Sequence, residues 1–222
     1  MRQRPRVKIC CIMSEEEASW AVAAGASAIG LVGAMPSGPG VIADEAIARI
    51  AAVVPRGVES FLLTSRTDPE GIAEHHRMAG TTTIQIVDRV TPATHQRLRS
   101  LVPGVRLVQV IHVAGAASVD EAVALAPSVD ALLLDSGRPG APVRELGGTG
   151  RTHDWSVSRA IQAAVNRPVY LAGGLHAGNV QEAIEAVGPY GLDLCSGVRS
   201  DGRLDRAKLT AFFAAVDEGA SG

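Results

Sequence analysis

The feature that most constrains this chain is a repeated pairing: short runs rich in Val, Ile and Leu, each followed by a stretch with apolar residues at helical spacing, occur eight times. Strands are expected at 7–11, 28–32, 58–63, 82–87, 105–111, 131–134, 169–171 and 192–195. Helices are expected at 15–24, 44–54, 69–79, 92–101, 119–125, 155–164, 179–187 and 205–216. Strands without a polar face, separated by helices, are parallel strands covered on both sides. Units of about 25–30 residues leave no linker, which favours an α/β chain closed as a single (β/α)8 TIM barrel domain, 1–222, over a doubly wound open sheet. Ser14 before Glu15-Glu16-Glu17 reads as an N-cap with a capping-box acid, and Ser118 with Glu121 repeats the pattern.

Composition excludes several classes of function. With 46% hydrophobic and 20% charged residues the chain can bury a core, so disorder is not its main state. A net charge of −2 supplies no cationic field for nucleic acid. The basic start is followed by a short apolar run ending at Met13, too brief for a signal peptide or for a membrane span of about 20 residues, so neither nucleic acid nor membrane is expected as a partner. Three cysteines, Cys10, Cys11 and Cys195, are odd in number and lack metal-ligand spacing. They suit a reducing, cytoplasmic setting and a site without metal.

In such barrels chemistry gathers where strands run into the following helices. Two of those loops are long, 35–43 and 136–154. Cys10 ends the first strand and Asp135 the sixth, which brings a thiol and a carboxyl to one rim as a possible base and acid. Alone, each has a plainer reading, a small core residue and a helix cap. Glycines follow the last strands in Ala172-Gly173-Gly174 and Ser196-Gly197-Val198, and Gly147-Gly148-Thr149-Gly150 closes the sixth loop. Backbone N–H groups in such loops can cradle a phosphate, although structural turns use glycine too.

Lys8-Ile9-Cys10, Leu134-Asp135-Ser136, Gly147-Gly148-Thr149-Gly150 with Asp154-Trp155, Leu171-Ala172-Gly173-Gly174-Leu175 with Asn179-Val180, and Asp193-Leu194-Cys195-Ser196-Gly197-Val198 follow in an order and spacing that resembles phosphoribosylanthranilate isomerase. The resemblance spans Val7 to Phe213. It implies an Amadori rearrangement of N-(5′-phosphoribosyl)anthranilate with Cys10 as general base, Asp135 as general acid and no cofactor. Gly148, Gly150, Gly173, Gly174, Ser196 and Gly197 would hold the phosphate of a small phosphorylated sugar, in a monomer or homodimer. Lys8 and Gln85 are further candidates for binding substrate.

Four departures lie near the same rim. The family's Pro-Ser-Pro-Arg segment, whose arginine meets the anthranilate carboxylate, is Pro36-Ser37-Gly38-Pro39-Gly40 here. Gln-Leu-His-Gly becomes Gln85-Ile86-Val87-Asp88, the glycine after the catalytic cysteine becomes Cys11, and a glutamate becomes Arg199. Arg66, Arg89, Arg138 and Arg199 are the candidates for a relocated carboxylate clamp. The same acid, base and cradle would also suit a related barrel isomerase acting on another phosphorylated aminosugar or ketose, or, without turnover, a phosphate-ligand binding or assembly protein.

Overall fold

Each apolar run forms a strand because alternate side chains fill two different spaces, one inside the ring of strands and one beneath the helices. The computed structural model describes residues 4–136 and 153–221. Eight parallel strands, β1 (Arg6–Ile9), β2 (Ala28–Val32), β3 (Glu59–Thr64), β4 (Thr83–Ile86), β5 (Arg106–His112), β6 (Ala131–Asp135), β7 (Val169–Leu171) and β8 (Gly191–Leu194), pair in sequence order. The ring closes where β8 meets β1. Outside it lie α1 (Glu15–Ala23), α2 (Asp44–Val53), α3 (Pro69–Ala79), α4 (Pro92–Leu101), α5 (Ala117–Leu125), α6 (Trp155–Ala164), α7 (Val180–Val187) and α8 (Arg206–Ser221).

The two spaces are separate cores. Ile29, Leu31, Ile84, Leu132, Leu134 and Leu192 point outward and pack with helix residues such as Ile47, Ile72 and Phe212. Ala28, Val32, Phe61, Val108, Leu133 and Tyr170 fill the ring. Large and small side chains interdigitate inside it: the Phe61 and Tyr170 rings meet edge to face with centroids 6.0 Å apart.

One charged pair shares this interior. Lys8 is fully buried, and its Nζ lies 2.8 Å from Asp193 Oδ1 and 5.2 Å from the Phe61 ring centroid. Its residues are register partners across the β1–β8 closure, so the ion pair lies on the seam of the ring.

The helices begin largely where the sequence signals them. Ser14 Oγ accepts from Glu17 N at 3.1 Å, Asp68 caps α3 ahead of Pro69, and Thr91 caps α4 ahead of Pro92. Ser118 does not cap α5. That helix starts at Ala117, and Ser118 is buried within it, its Oγ accepting from Ala114 N at 3.1 Å. Strand β1 stops before Cys10 and Cys11, which the sequence pattern included, because Cys11 turns to a left-handed φ of 61°. A small hairpin, β9 (Arg199–Ser200) and β10 (Arg203–Leu204), also departs from the expected pattern. It turns at Asp201-Gly202, with φ of 50° and 77°, an Asp-Gly signal typical of tight hairpins.

Removing one partner of a buried ion pair leaves an uncompensated charge, whereas replacing both with apolar residues is often tolerated. Lys8→Met is therefore expected to lower unfolding free energy by about 3–5 kcal/mol. Lys8→Met combined with Asp193→Leu is expected to recover most of that loss. Denaturant unfolding of both variants checks this; equal destabilisation by the single and double changes would show that the pair is not the cause.

Candidate active site

The rim at the C-terminal ends of the strands opens into a cleft enclosing about 680 Å³ of empty space, part of it open to solvent. Cys10 and Asp135, brought from β1 and β6, both line it. Cys10 N donates to Leu194 O at 2.9 Å, which carries the β1–β8 pairing one residue past the strand and fixes the thiol at the rim. Beside it, β2 has no side chain at Gly30: a Cβ there would lie 2.8 Å from Cys10 Sγ and 3.0 Å from Lys8 Nζ. Close approach of the cysteine and lysine to the neighbouring strand thus requires glycine. Cys11, the next residue, holds a backbone conformation that costs a residue with a Cβ about 1–2 kcal/mol.

Asp135 is buried, and burial pushes its carboxyl above the ordinary aspartate range. The Ser136 N–H, 2.7 Å from Oδ1, and His112 on the neighbouring strand oppose that rise; the Asp193 carboxylate adds to it, and Lys8 opposes it. A carboxyl displaced in this direction holds its proton to higher pH than an ordinary aspartate, the direction a general acid needs. Lys8 itself stays protonated. Burial disfavours its charge, but Asp193 and the nearby cysteines outweigh that and hold the ammonium above the usual lysine range.

The glycine loops after β7 and β8 meet at one side of the cleft. Gly173, Gly174 and Ser196 line it. Gly197 backs directly onto the other loop: a Cβ there would fall 1.9 Å from the Leu175 carbonyl oxygen. Asn179, just ahead of α7, ties the first loop down by donating to Gly174 O at 3.0 Å and accepting from His176 N at 2.9 Å. Gly148 and Gly150 lie outside the described residues.

The apolar wall opposite is Val32, Met35, Pro39, Leu63, Val87 and Val110. Gln85 reaches in from β4, 3% exposed, with its Oε1 buried and without a hydrogen-bond partner among the described residues. That places Gln85, as expected, on the cleft surface.

Lys8 and the arginines are placed otherwise. Lys8 is sealed beneath the cleft by its ion pair and has no surface to offer a substrate. Arg66 is exposed, its Nη1 on Gly71 O at 3.3 Å. Arg89 binds Glu121 at 2.7 Å, out in solvent. Arg199 is buried, and its guanidinium is taken up by Glu17, at 3.1 Å from Oε1, and by the carbonyls of Cys10 and Cys11. Burial opposes its charge, but the hydrogen bond it donates to Glu17 holds it above the ordinary arginine range. None of these three lines the cleft, and Arg138 lies outside the described residues.

Two neighbours of the site, Asp193 and Glu17, carry a sequence signal of their own. Asp193 is a lone acid in an apolar strand, matched by the lone Lys8 in the strand that closes the ring. Glu17 looked like a capping-box acid. Its carboxylate instead collects Met13 N at 3.0 Å, Leu204 N at 2.9 Å and Arg199, anchoring the hairpin under the rim. Among the described residues no three His, Cys, Asp or Glu side chains are arranged to hold a metal ion, and no helix is long and apolar enough to cross a membrane.

Comparison with known proteins agrees with this geometry. The family model for N-(5′-phosphoribosyl)anthranilate isomerase matches residues 8–215. An N-(5′-phosphoribosyl)anthranilate isomerase of Methanocella arvoryzae is 37% identical over 208 residues, covering 94% of this chain and 95% of its own. The phosphoribosyl anthranilate isomerase structure from Thermus thermophilus superposes with a TM-score of 0.81 at 30% identity, over 96% of this chain and 98% of that one. Its counterpart from Thermotoga maritima gives 0.83 at 26% identity, over 96% and 99%. The closed ring of strands with its two apolar cores, the thiol and carboxyl on one cleft and these matches along nearly the whole length place the chain in the N-(5′-phosphoribosyl)anthranilate isomerase family.

Proposed function

We propose that the chain isomerises N-(5′-phosphoribosyl)anthranilate to 1-(2-carboxyphenylamino)-1-deoxyribulose 5-phosphate in tryptophan biosynthesis, in the cytoplasm, with Asp135 as general acid and Cys10 as general base. The observation that carries this reading is a buried carboxyl, shifted toward its protonated form, on the same cleft as a thiol at the end of the first strand.

Asp135 gives its proton to the furanose ring oxygen as the bond from that oxygen to C1′ breaks, and the nitrogen lone pair closes a C1′=N⁺ bond. The Cys10 thiolate then removes the proton from C2′. The released pair forms C1′=C2′ while the C=N⁺ pair returns to nitrogen, giving an enolamine. Protonation at C1′ and loss of the 2′-hydroxyl proton give the ketone. The substrate's own nitrogen serves as electron sink, so no cofactor step enters.

Binding follows the cleft's two walls. The phosphate suits the backbone around Gly173, Gly174, Ser196 and Gly197, and the aromatic ring suits Val32, Met35 and Pro39. The orphaned Oε1 of Gln85 accepts a ribose hydroxyl proton. Of the four arginines proposed for the carboxylate, Arg66, Arg89 and Arg199 are engaged elsewhere and do not line the cleft, and Arg138 lies outside the described residues.

Asp135→Asn and Cys10→Ser are each expected to lower turnover of freshly generated phosphoribosylanthranilate by at least about 10²-fold, the lower scale for a positioned proton-transfer group. Near-normal turnover in either variant would remove that residue from the mechanism. Arg138→Ala is expected to raise KM by about 10- to 100-fold, the loss of one charge-assisted bond, with kcat changed much less. An unmoved KM would assign the carboxylate elsewhere.

The protonated carboxyl also leaves a thermodynamic trace. With its folded value above the ordinary 3.8, Asp135 contributes stability fully below that pH and loses it as pH rises through the folded value. Asp135→Asn keeps the shape without titrating. Its unfolding free energy is therefore expected to gain on the wild type from about pH 4 upward, levelling once the wild-type carboxyl has ionised. A difference independent of pH in that window would contradict a raised Asp135.

A further inference from the structure

All three cysteines of the chain meet at this one cleft, and the reaction proposed above uses only Cys10. Their meeting follows from strand register. Lys8 pairs with Asp193 and Ile9 with Leu194, and the Cys10 N to Leu194 O bond at 2.9 Å extends the ladder, so Cys10 and Cys195 come next on neighbouring strands. Adjacent strands lie about 4.8 Å apart and disulfides span Cα separations of about 4.4–6.8 Å, so register sets Cys195 opposite Cys10, which is one residue along the chain from Cys11. Cys11 then turns back at its left-handed φ of 61°, and its thiol becomes a hydrogen-bonding neighbour of both Cys10 and Cys195.

Two further facts bear on why a cysteine stands at a position whose φ suits glycine. The loop after β2 packs over it, Gly40 so closely that a Cβ there would lie 2.5 Å from Cys11 Cβ. Beneath, the Arg199 guanidinium accompanies the Cys11 carbonyl and faces Cys195. Strained backbone tends to persist where it serves a purpose, and here it aims a second sulfur at Cys195.

We infer that Cys11 and Cys195 form a peroxide-oxidisable thiol pair whose disulfide reversibly arrests turnover at Cys10. Cys195 is the half-buried member, whereas Cys10 and Cys11 are buried, so an oxidant entering the cleft meets it first. Its thiolate is favoured by the hydrogen bond from Cys11, against burial, and by Arg199, while Cys11 is held toward its protonated form by its two sulfur neighbours and by burial. The thiolate sulfur of Cys195 attacks hydrogen peroxide, an S–O bond forms, the O–O bond breaks, and hydroxide leaves as water after taking up a proton. The Cys11 sulfur then attacks the sulfenic sulfur: the S–S bond forms, the S–O bond breaks, and the hydroxyl leaves with the Cys11 proton as a second water. Two thiols are oxidised, one peroxide is reduced, and a dithiol restores them.

The disulfide ties the residue after the base to the residue before the Ser196-Gly197 cradle and removes the thiol proton that Cys11 holds beside Cys10. Such a bond in a reducing compartment is transient and suited to sensing.

The test uses the full chain, reduced and then exposed to hydrogen peroxide at neutral pH, quenched, alkylated with N-ethylmaleimide and mapped by mass spectrometry, with turnover measured before, after and following dithiothreitol. The expected result is a Cys11–Cys195 cross-linked peptide, alkylation at Cys10 only, and a loss of turnover of about tenfold or more that dithiothreitol reverses. Cys11→Gly and Cys195→Ser are each expected to give no cross-link and no dithiothreitol-reversible loss, each judged against its own reduced form. A wild type with all three thiols still alkylated, a cross-link through Cys10, or a Cys11–Cys195 disulfide that leaves turnover intact would overturn the inference. The cross-link is read by mass and is independent of which substrate the enzyme takes; only the turnover arm rests on the proposed reaction.

Discussion

The ion pair between Lys8 and Asp193 sits on the seam that makes this chain a barrel rather than a curved sheet. A charge of either sign inside a ring of Phe61, Tyr170 and aliphatic side chains is tolerable only with its partner at hydrogen-bonding distance, and the partner arrives on the last strand. Several features of the site trace back to that seam. Cys10 stands two residues after Lys8 on the same face of the chain, and Cys195 two residues after Asp193. The Asp193 carboxylate raises the proton affinity of Asp135 while Lys8 tempers it, so the carboxyl is tuned by both members of the pair.

The repeat of apolar runs was enough to read the architecture, because parallel strands buried on both faces and covered by helices have few ways to be arranged. The ends of strands were harder. Cys11 reads as one more apolar residue in the first run, and only its left-handed backbone, imposed by the turn toward Glu17 and the packing of Gly40, takes it out of the strand. Ser118 carried the letters of a cap but lies inside its helix, since the turn before α5 is made by Gly115 and Ala116. The Asp201-Gly202 hairpin was written plainly in the sequence, yet between an Arg-Ser pair and an Arg-Leu pair it lacks the alternating apolar flanks that make such a turn stand out.

Site residues divide along the same line. Cys10, Asp135, Gln85 and the glycines of the last two loops could be located because strand ends determine which way a side chain faces. The arginines could not. Their long side chains choose partners by three-dimensional proximity, and Glu17, some 182 positions away in sequence, captures Arg199 for a structural bridge. The cleft that results is neutral to acidic among its described lining, with Asp135 and Asp193 on it and no Lys, Arg or His. In the proposed function, recognition of the phosphate there falls to backbone N–H groups, which carry partial charge without titrating and without the desolvation that a buried cation demands.

Closure between the first strand and the last has a consequence for how the molecule comes into being. During synthesis β1 leaves the ribosome long before Gly191–Leu194 exists, so for most of that time the growing sheet has two bare edges and Lys8 has no counter-ion. A lysine among unfinished strands keeps the nascent edge hydrated and unattractive to other chains, and the arrival of Asp193 cancels that charge as the edges join. The same residue that is costly to bury in the finished enzyme thus acts, beforehand, as a guard on an incomplete one.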